Sequence, residues 1–174
     1  MIYDILQDSR GFMWIASGSG LYMYDGTQFK VFKSRKGDPG SISHNTAKVL
    51  LEDRKGNIWI GTQGGGLNCY DFEKSTFRQY RHHQGKPGSL SNDEILSIIE
   101  DRQGHIWVGT ENGLNVLDPA TGAIKVFLHD PEQAGSLSAR AVLSLLQDSQ
   151  GRIWAGTWDG GLNLYLPSLS QHAP

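Results

Sequence analysis

The stretch DRQGHIWVGTENGL at 101–114 recurs three more times in a chain of 174 residues. It reads DSRGFMWIASGSGL at 8–21, DRKGNIWIGTQGGGL at 53–67 and DSQGRIWAGTWDGGL at 148–162. The tryptophans that mark the copies, Trp14, Trp59, Trp107 and Trp154, are 45, 48 and 47 residues apart. A period of that length marks a repeat array, in which each unit buries its apolar face only by stacking on its neighbours.

Within a copy the pattern is strand, turn, strand, turn, strand. EILSIIE at 94–100 is dense enough in Ile and Leu for a strand buried on both faces. Asp101 to Gly104 supplies a carboxylate that can accept backbone N–H groups and a glycine where positive φ is cheap. HIWVGT at 105–110 is the second strand, and ENG at 111–113 turns the chain again. LNVLDP, a turn at Thr121 and Gly122, and AIKVFLHD at 123–130 complete the unit. Four short antiparallel strands in about 40–50 residues make a propeller blade. The fold class is therefore all-β, with blades at about 1–38, 46–84, 94–130 and 141–167 and a tail at 168–174. Three long loops sharing GSIS at 40–43, GSLS at 88–91 and GSLS at 135–138 join them.

The fourth unit offers AVLSLLQ, RIWAGT and LNLYLP as strands but no outer strand. Four full blades at roughly 47 residues each would need about 188 residues. The arc is thus expected to belong to a larger ring or to one completed by a second copy. Its open sheet faces, rich in Trp, Ile and Leu, favour self-association.

Composition narrows the function classes. An apolar content of 38% permits a packed core, and a net charge of −2 gives no electrostatic reason to expect nucleic acid or an anionic membrane as partner. The single cysteine, Cys69, excludes an intramolecular disulfide and a cysteine-based zinc site. No apolar run approaches a membrane span, and MIYDILQDSRG lacks the basic start and long apolar segment of a secretory signal.

Four copies of D-x-x-G-x-hydrophobic-W-hydrophobic-G-T-x-x-G-L joined by GSLS loops resemble the two-component regulator propeller repeats. Repeat one departs, with Ala16 and Ser17 where the others have Gly and Thr. The resemblance implies a periplasmic sensor segment of a membrane-anchored bacterial receptor, with a histidine kinase or diguanylate cyclase output lying elsewhere.

Candidate sites follow from what repeats and what varies. The four tryptophans sit mid-strand among apolar residues and read as inter-blade packing, and Asp8, Asp53, Asp101 and Asp148 read as turn caps. Trp158, by contrast, occupies a hairpin where the sister repeats carry Gln63 and Glu111. The positions just before each inner strand also vary: His44 and Asn45, Asn92 and Asp93, Ala139 and Arg140. Different chemistry at equivalent loop positions suits recognition of an irregular ligand. Trp158, Arg140, Asn92, Asp93, His44, Asn45, Gln63 and Glu111 are therefore the candidate ligand-binding residues.

Adjacent His82 and His83 diverge in an extended segment and read as solvated rather than as a metal clamp. GSGL at 18–21 and GGGL at 64–67 lead into strands, not helix N-termini, so they are not phosphate cradles. No catalytic residue, metal site or cofactor is expected. The function read from the sequence is ligand sensing, with a small molecule or oligosaccharide as partner. The alternatives are a protein-docking or self-assembling scaffold and, less favoured, a propeller lyase or glycosidase needing His44, Asp93 and Glu111 to converge.

Overall fold

A computed structural model describes residues 1–166. Pro167, placed above in the last strand, and the tail at 168–174 lie outside them. The described residues contain strands and turns and no helix. Blade 1 holds β1 (Ile2–Gln7), β2 (Met13–Ser17), β3 (Gly20–Tyr24) and β4 (Phe29–Phe32). Blade 2 holds β5 (Ala47–Glu52), β6 (Ile58–Thr62), β7 (Leu67–Asp71) and β8 (Thr76–Tyr80). Blade 3 holds β9 (Ile95–Glu100), β10 (Ile106–Thr110), β11 (Gly113–Leu117) and β12 (Ile124–Phe127). Blade 4 contributes β13 (Val142–Gln147), β14 (Ile153–Thr157) and β15 (Gly161–Tyr165). Each sheet is an antiparallel meander in chain order. The first strands of successive blades, β1, β5, β9 and β13, neighbour one another and form the inner wall of the arc.

Strands are shorter than the apolar runs wherever turn chemistry takes over. The third strand of blade 3 stops at Leu117, because Asp118 begins a turn, accepting the Ala120 N–H on its carboxylate and the Gly122 N–H on its carbonyl. The outer strand stops at Phe127, not at Asp130, because the Leu128 carbonyl is taken by the Leu137 N–H of the returning loop.

The Asp-led hairpin is the same machine in every blade. In blade 2, Asp53 Oδ1 accepts the N–H groups of Lys55 and Asn57 at 3.0 and 2.9 Å, and Oδ2 accepts Trp59 Nε1–H at 2.8 Å. Asp8, Asp101 and Asp148 bond Trp14, Trp107 and Trp154 at 2.9, 2.8 and 2.8 Å. One carboxylate thus closes the turn and satisfies a buried indole, which would otherwise carry a costly unpaired donor. Trp14, Trp59 and Trp107 are buried, each in a cluster with the facing side of the next blade.

The hairpins also stitch blade to blade. Ser9 N–H donates to Glu52, Arg54 N–H to Glu100 and Arg102 N–H to Gln147, at 2.8, 2.8 and 2.9 Å. Nearer the inner wall, a side chain at Gly61 would sit 2.5 Å from Ile95, and one at Gly109 would sit 2.5 Å from the Val142 carbonyl. Repeat one can carry Ala16 there because the next blade begins with Ala47, the register equivalent of Ile95 and Val142. The departure in repeat one is therefore a matched pair of small residues.

Candidate functional site

The hairpins between second and third strands and the loops entering each blade meet at the rim opposite the Asp-led turns. Gln63 N–H donates to the Thr46 carbonyl, Glu111 N–H to Glu94 and Trp158 N–H to Ala141, at 3.0, 3.2 and 2.9 Å. The same hairpins reach the following blade: Gly66 N–H bonds the Asp93 carbonyl and Gly113 N–H the Arg140 carbonyl, at 2.8 and 2.7 Å. Gln63, Glu111 and Trp158 consequently occupy one repeated backbone position and are all exposed, Trp158 by 62%.

Behind them stands a polar clasp in blades 2 to 4. Asn115 on β11 accepts Ser91 N–H at 2.8 Å and donates to Ser91 Oγ at 2.9 Å. Asn68 with Ser43 and Asn163 with Ser138 repeat the pairing. The second serine of each GSIS or GSLS loop is thus fixed to the third strand of its own blade, which holds the rim in place.

The remaining candidates divide between closing loops and facing water. His44 Nδ1 accepts Thr46 N–H at 3.1 Å and Asn92 Oδ1 accepts Glu94 N–H at 2.7 Å, so both cap the entry to an inner strand. Asn45 accepts Ser34 N–H and Asp93 accepts His82 N–H, at 2.8 and 2.7 Å, tying the loop entry to the end of the previous outer strand. Asp93 also faces Arg81 at 3.7 Å. Arg140 stands at the same position as these two and is exposed. His82 and His83 are both exposed, and His82 Nδ1 lies 2.6 Å from the Leu90 carbonyl. His129 repeats that contact with Leu137.

One residue at this rim escaped the sequence reading. Asp159, beside Trp158, holds φ at 62° where Gly64 of the sister hairpin has φ 84°. A non-glycine residue in the left-handed region costs energy, and Asp is among the few that tolerate it. The signal was legible as a side chain standing where a repeat-equivalent residue is Gly.

A family model for the two-component regulator propeller matches residues 1–19, 41–64, 89–112 and 136–159, taking in every Asp-led hairpin and its tryptophan strand. The chain belongs to the two-component regulator propeller family. Among solved structures, this propeller chain is similar to the extracellular domain of a putative hybrid two-component system of B. thetaiotaomicron, at 29% identity with a TM-score of 0.82. The match covers 94% of this chain and 23% of that one. A second such extracellular domain from B. thetaiotaomicron matches at 26% identity and a TM-score of 0.74, over 94% of this chain and 21% of that one. The propeller chain therefore spans less than a quarter of either domain. The WD40 propeller domain of Doa1, at 17% identity and a TM-score of 0.70 over 99% of this chain and 53% of that one, shares the fold. No curated protein matches the chain. The likeness to extracellular domains of two-component systems is consistent with a sensory or receptor role and suggests an extracytoplasmic location.

The propeller rim presents an exposed indole, a guanidinium, a carboxamide and two carboxylates, on side chains not needed for the clasp. The thiol of Cys69 sits away from it, on β7 against the core between blades 2 and 3, and burial pushes it up to about 12. At neutral pH it is a small apolar residue, not a nucleophile.

Proposed function

We propose that this chain is a ligand-recognition segment of the periplasmic sensor propeller of a bacterial signal-transduction receptor, and that it binds a small molecule or glycan fragment at the rim carrying Trp158 without transforming it. The observation that carries the reading is the exposed Trp158 ring on a hairpin locked to Ala141, one residue from exposed Arg140. An indole face stacks on the apolar face of a sugar ring, and a guanidinium answers hydroxyl or carboxylate oxygens beside it. Gln63, Glu111 and Asp159 extend the rim with different polar groups. His44, Asn45, Asn92 and Asp93 hold the loops that present these side chains. A rim fixed in this way can transmit occupancy only if ligand binds one arrangement of the receptor better than another.

A hydrolytic or lyase reading asks His44, Asp93 and Glu111 to act together. The His44 Nδ1 and the Asp93 carboxylate are instead engaged by backbone N–H groups of their own loops. The test is titration of neutral and acidic oligosaccharides, followed by calorimetry and by indole fluorescence. Wild type should bind at least one of them, and Trp158→Ala and Arg140→Ala should each weaken it about tenfold or more, roughly the 1.4 kcal/mol of one good contact. Equal affinity in wild type and Trp158→Ala would remove this rim from the reading.

A further inference from the structure

The long loops that enter blades 2 and 3 run in one register, since Arg35 and His83 each donate their N–H to a serine hydroxyl, of Ser41 and Ser89, at 3.1 Å. In the loop entering blade 2, the Asp38 carboxylate takes the Gly40 N–H at 2.9 Å, and the Gly40 carbonyl accepts Phe77 N–H of the outer strand at 2.8 Å. Gln79 Nε2–H donates to the Ser41 carbonyl at 2.8 Å. The outer edge of β8 is therefore closed by its loop, so tightly that a side chain at Gly40 would sit 3.1 Å from Thr76.

The loop entering blade 3 lacks both clamps. Lys86 stands where Asp38 does and has nothing to accept with, and Gly88 turns to φ 77°, in the left-handed region that Gly40 avoids. With Gln133 at that place in the next loop, Gly135 likewise stands at φ 88°. Val126 replaces Gln79, pairing with Asn115 as Gln79 pairs with Asn68, and its side chain has nothing to donate. Among the described residues Ile124 N–H, the equivalent of Phe77 N–H, makes no bond to the loop, and a side chain at Gly88 would meet nothing within 4 Å. Between loop and strand lies a groove of about 530 Å³, with His83, Lys86 and Gly88 on one side and Ile124, Val126 and Leu128 on the other. Blades 2 and 3 each have four strands, so chain frames the groove on both sides.

We infer that this groove takes an extended peptide segment of alternating apolar and acidic residues, which adds to the outer edge of β12 as a further strand of blade 3. Asp118 N–H bonds the Ala123 carbonyl, so the next pair, Leu117 with Ile124, exchanges no bonds, and neither does Asn115 with Val126. The N–H and C=O groups of Ile124 and Val126 thus point away from β11, and an unpaired row of this kind is a template for another strand. Ile124 and Val126 are half-buried and Leu128 is exposed, which gives the added strand an apolar floor. Lys86 is an exposed cation, His83 becomes one when protonated, and no Asp or Glu lines the groove, so the side chains that face the loop are acidic ones. This inference goes beyond the reading of the rim and does not rest on it.

The experiment titrates the 174-residue chain with a short capped peptide that alternates valine and glutamate, reading affinity by calorimetry and backbone amide exchange by NMR. The Ile124 and Val126 amides should exchange quickly in the free chain and slow by about tenfold or more in the complex, while the Phe77 amide is slow in both. Lys86→Asp combined with Val126→Gln installs in blade 3 the two side chains that close blade 2. That variant should keep its sheets by circular dichroism, slow the Ile124 amide with no peptide present and bind the peptide about tenfold or more weakly. Absence of binding by wild type up to about millimolar peptide would overturn the inference. Equal affinity for a valine and lysine peptide would overturn the acidic assignment. Resonance shifts at His83 and Lys86 without slowed exchange at Ile124 and Val126 would mark a site for small anions and overturn strand addition. Loss of peptide binding in Trp158→Ala would move the peptide to the rim and overturn the groove.

Discussion

At one rim of the arc, Asp8, Asp53, Asp101 and Asp148 make the same bonds to the same indoles in all four blades. At the other, the equivalent positions Gln63, Glu111 and Trp158 share a backbone hydrogen bond and nothing else. The repeated chemistry solves a problem every blade has, a tight turn next to a buried indole. The varied chemistry solves no problem of the fold, since the clasp of Asn68, Asn115 and Asn163 already holds that rim. Side chains relieved of structural work are free to differ, and a binding surface draws on such positions.

The comparison breaks most visibly at the tryptophans. Trp59→Ala should destabilise the chain by about 3–5 kcal/mol, since the indole is buried between blades 2 and 3. Trp158→Ala, the same chemical change at an exposed turn, should stay within about 0.5 kcal/mol. Urea unfolding of the two variants measures both, and equal losses would erase the distinction between the rims. Next in size is Asp53→Ala, which strands the Trp59 N–H and opens the turn. Loss of a charged acceptor of this kind costs about 1.5–3 kcal/mol, and the same denaturation series reads it.

Much of this was legible in the sequence because repetition constrains it four times over. The blade count, the strand order and the turn role of the aspartates follow from spacing and turn chemistry alone. The second role of those aspartates, as acceptors for the tryptophan six residues on, is a matter of side-chain reach that spacing does not display. The rim residues were legible as a set but not as individuals. Nothing in their letters says that His44, Asn45, Asn92 and Asp93 cap backbone N–H groups while Arg140, at the position of Asn45 and Asp93, faces water. The matching of residues across neighbouring blades was hidden too. That Ala16 goes with Ala47 requires knowing that these residues meet across two blades.

Acid should act on the Asp-led rim. Burial alone would raise Asp101, but Trp107 Nε1–H and the His105 backbone and ring outweigh it and hold the carboxyl below its ordinary 3.8. The Trp154 N–H, opposed by burial and then aided by Arg152, holds Asp148 well below that value as well. A carboxylate lowered in the folded state contributes stability that is fully present above the unfolded value and is lost as pH falls through the folded one. Urea midpoints should therefore be flat from pH 7 to about 5 and fall below about pH 4. Asp148→Asn should lessen that acid dependence, and an unchanged slope in the variant would contradict the assignment.

The finest test lies at Asp159. Its φ of 62° sits where Gly64 carries the same turn without a side chain, so Asp159→Gly should relieve backbone strain and stabilise the chain by up to about 1 kcal/mol. The turn itself gives no reason for a side chain at this φ. The binding rim proposed above gives one, because a carboxylate next to Trp158 in the chain could accept from a ligand hydroxyl. The variant should therefore melt later and bind more weakly, two changes of opposite sign from one substitution. A variant that gains stability and keeps full affinity would return Asp159 to the turn alone and leave Trp158 and Arg140 to carry recognition without it.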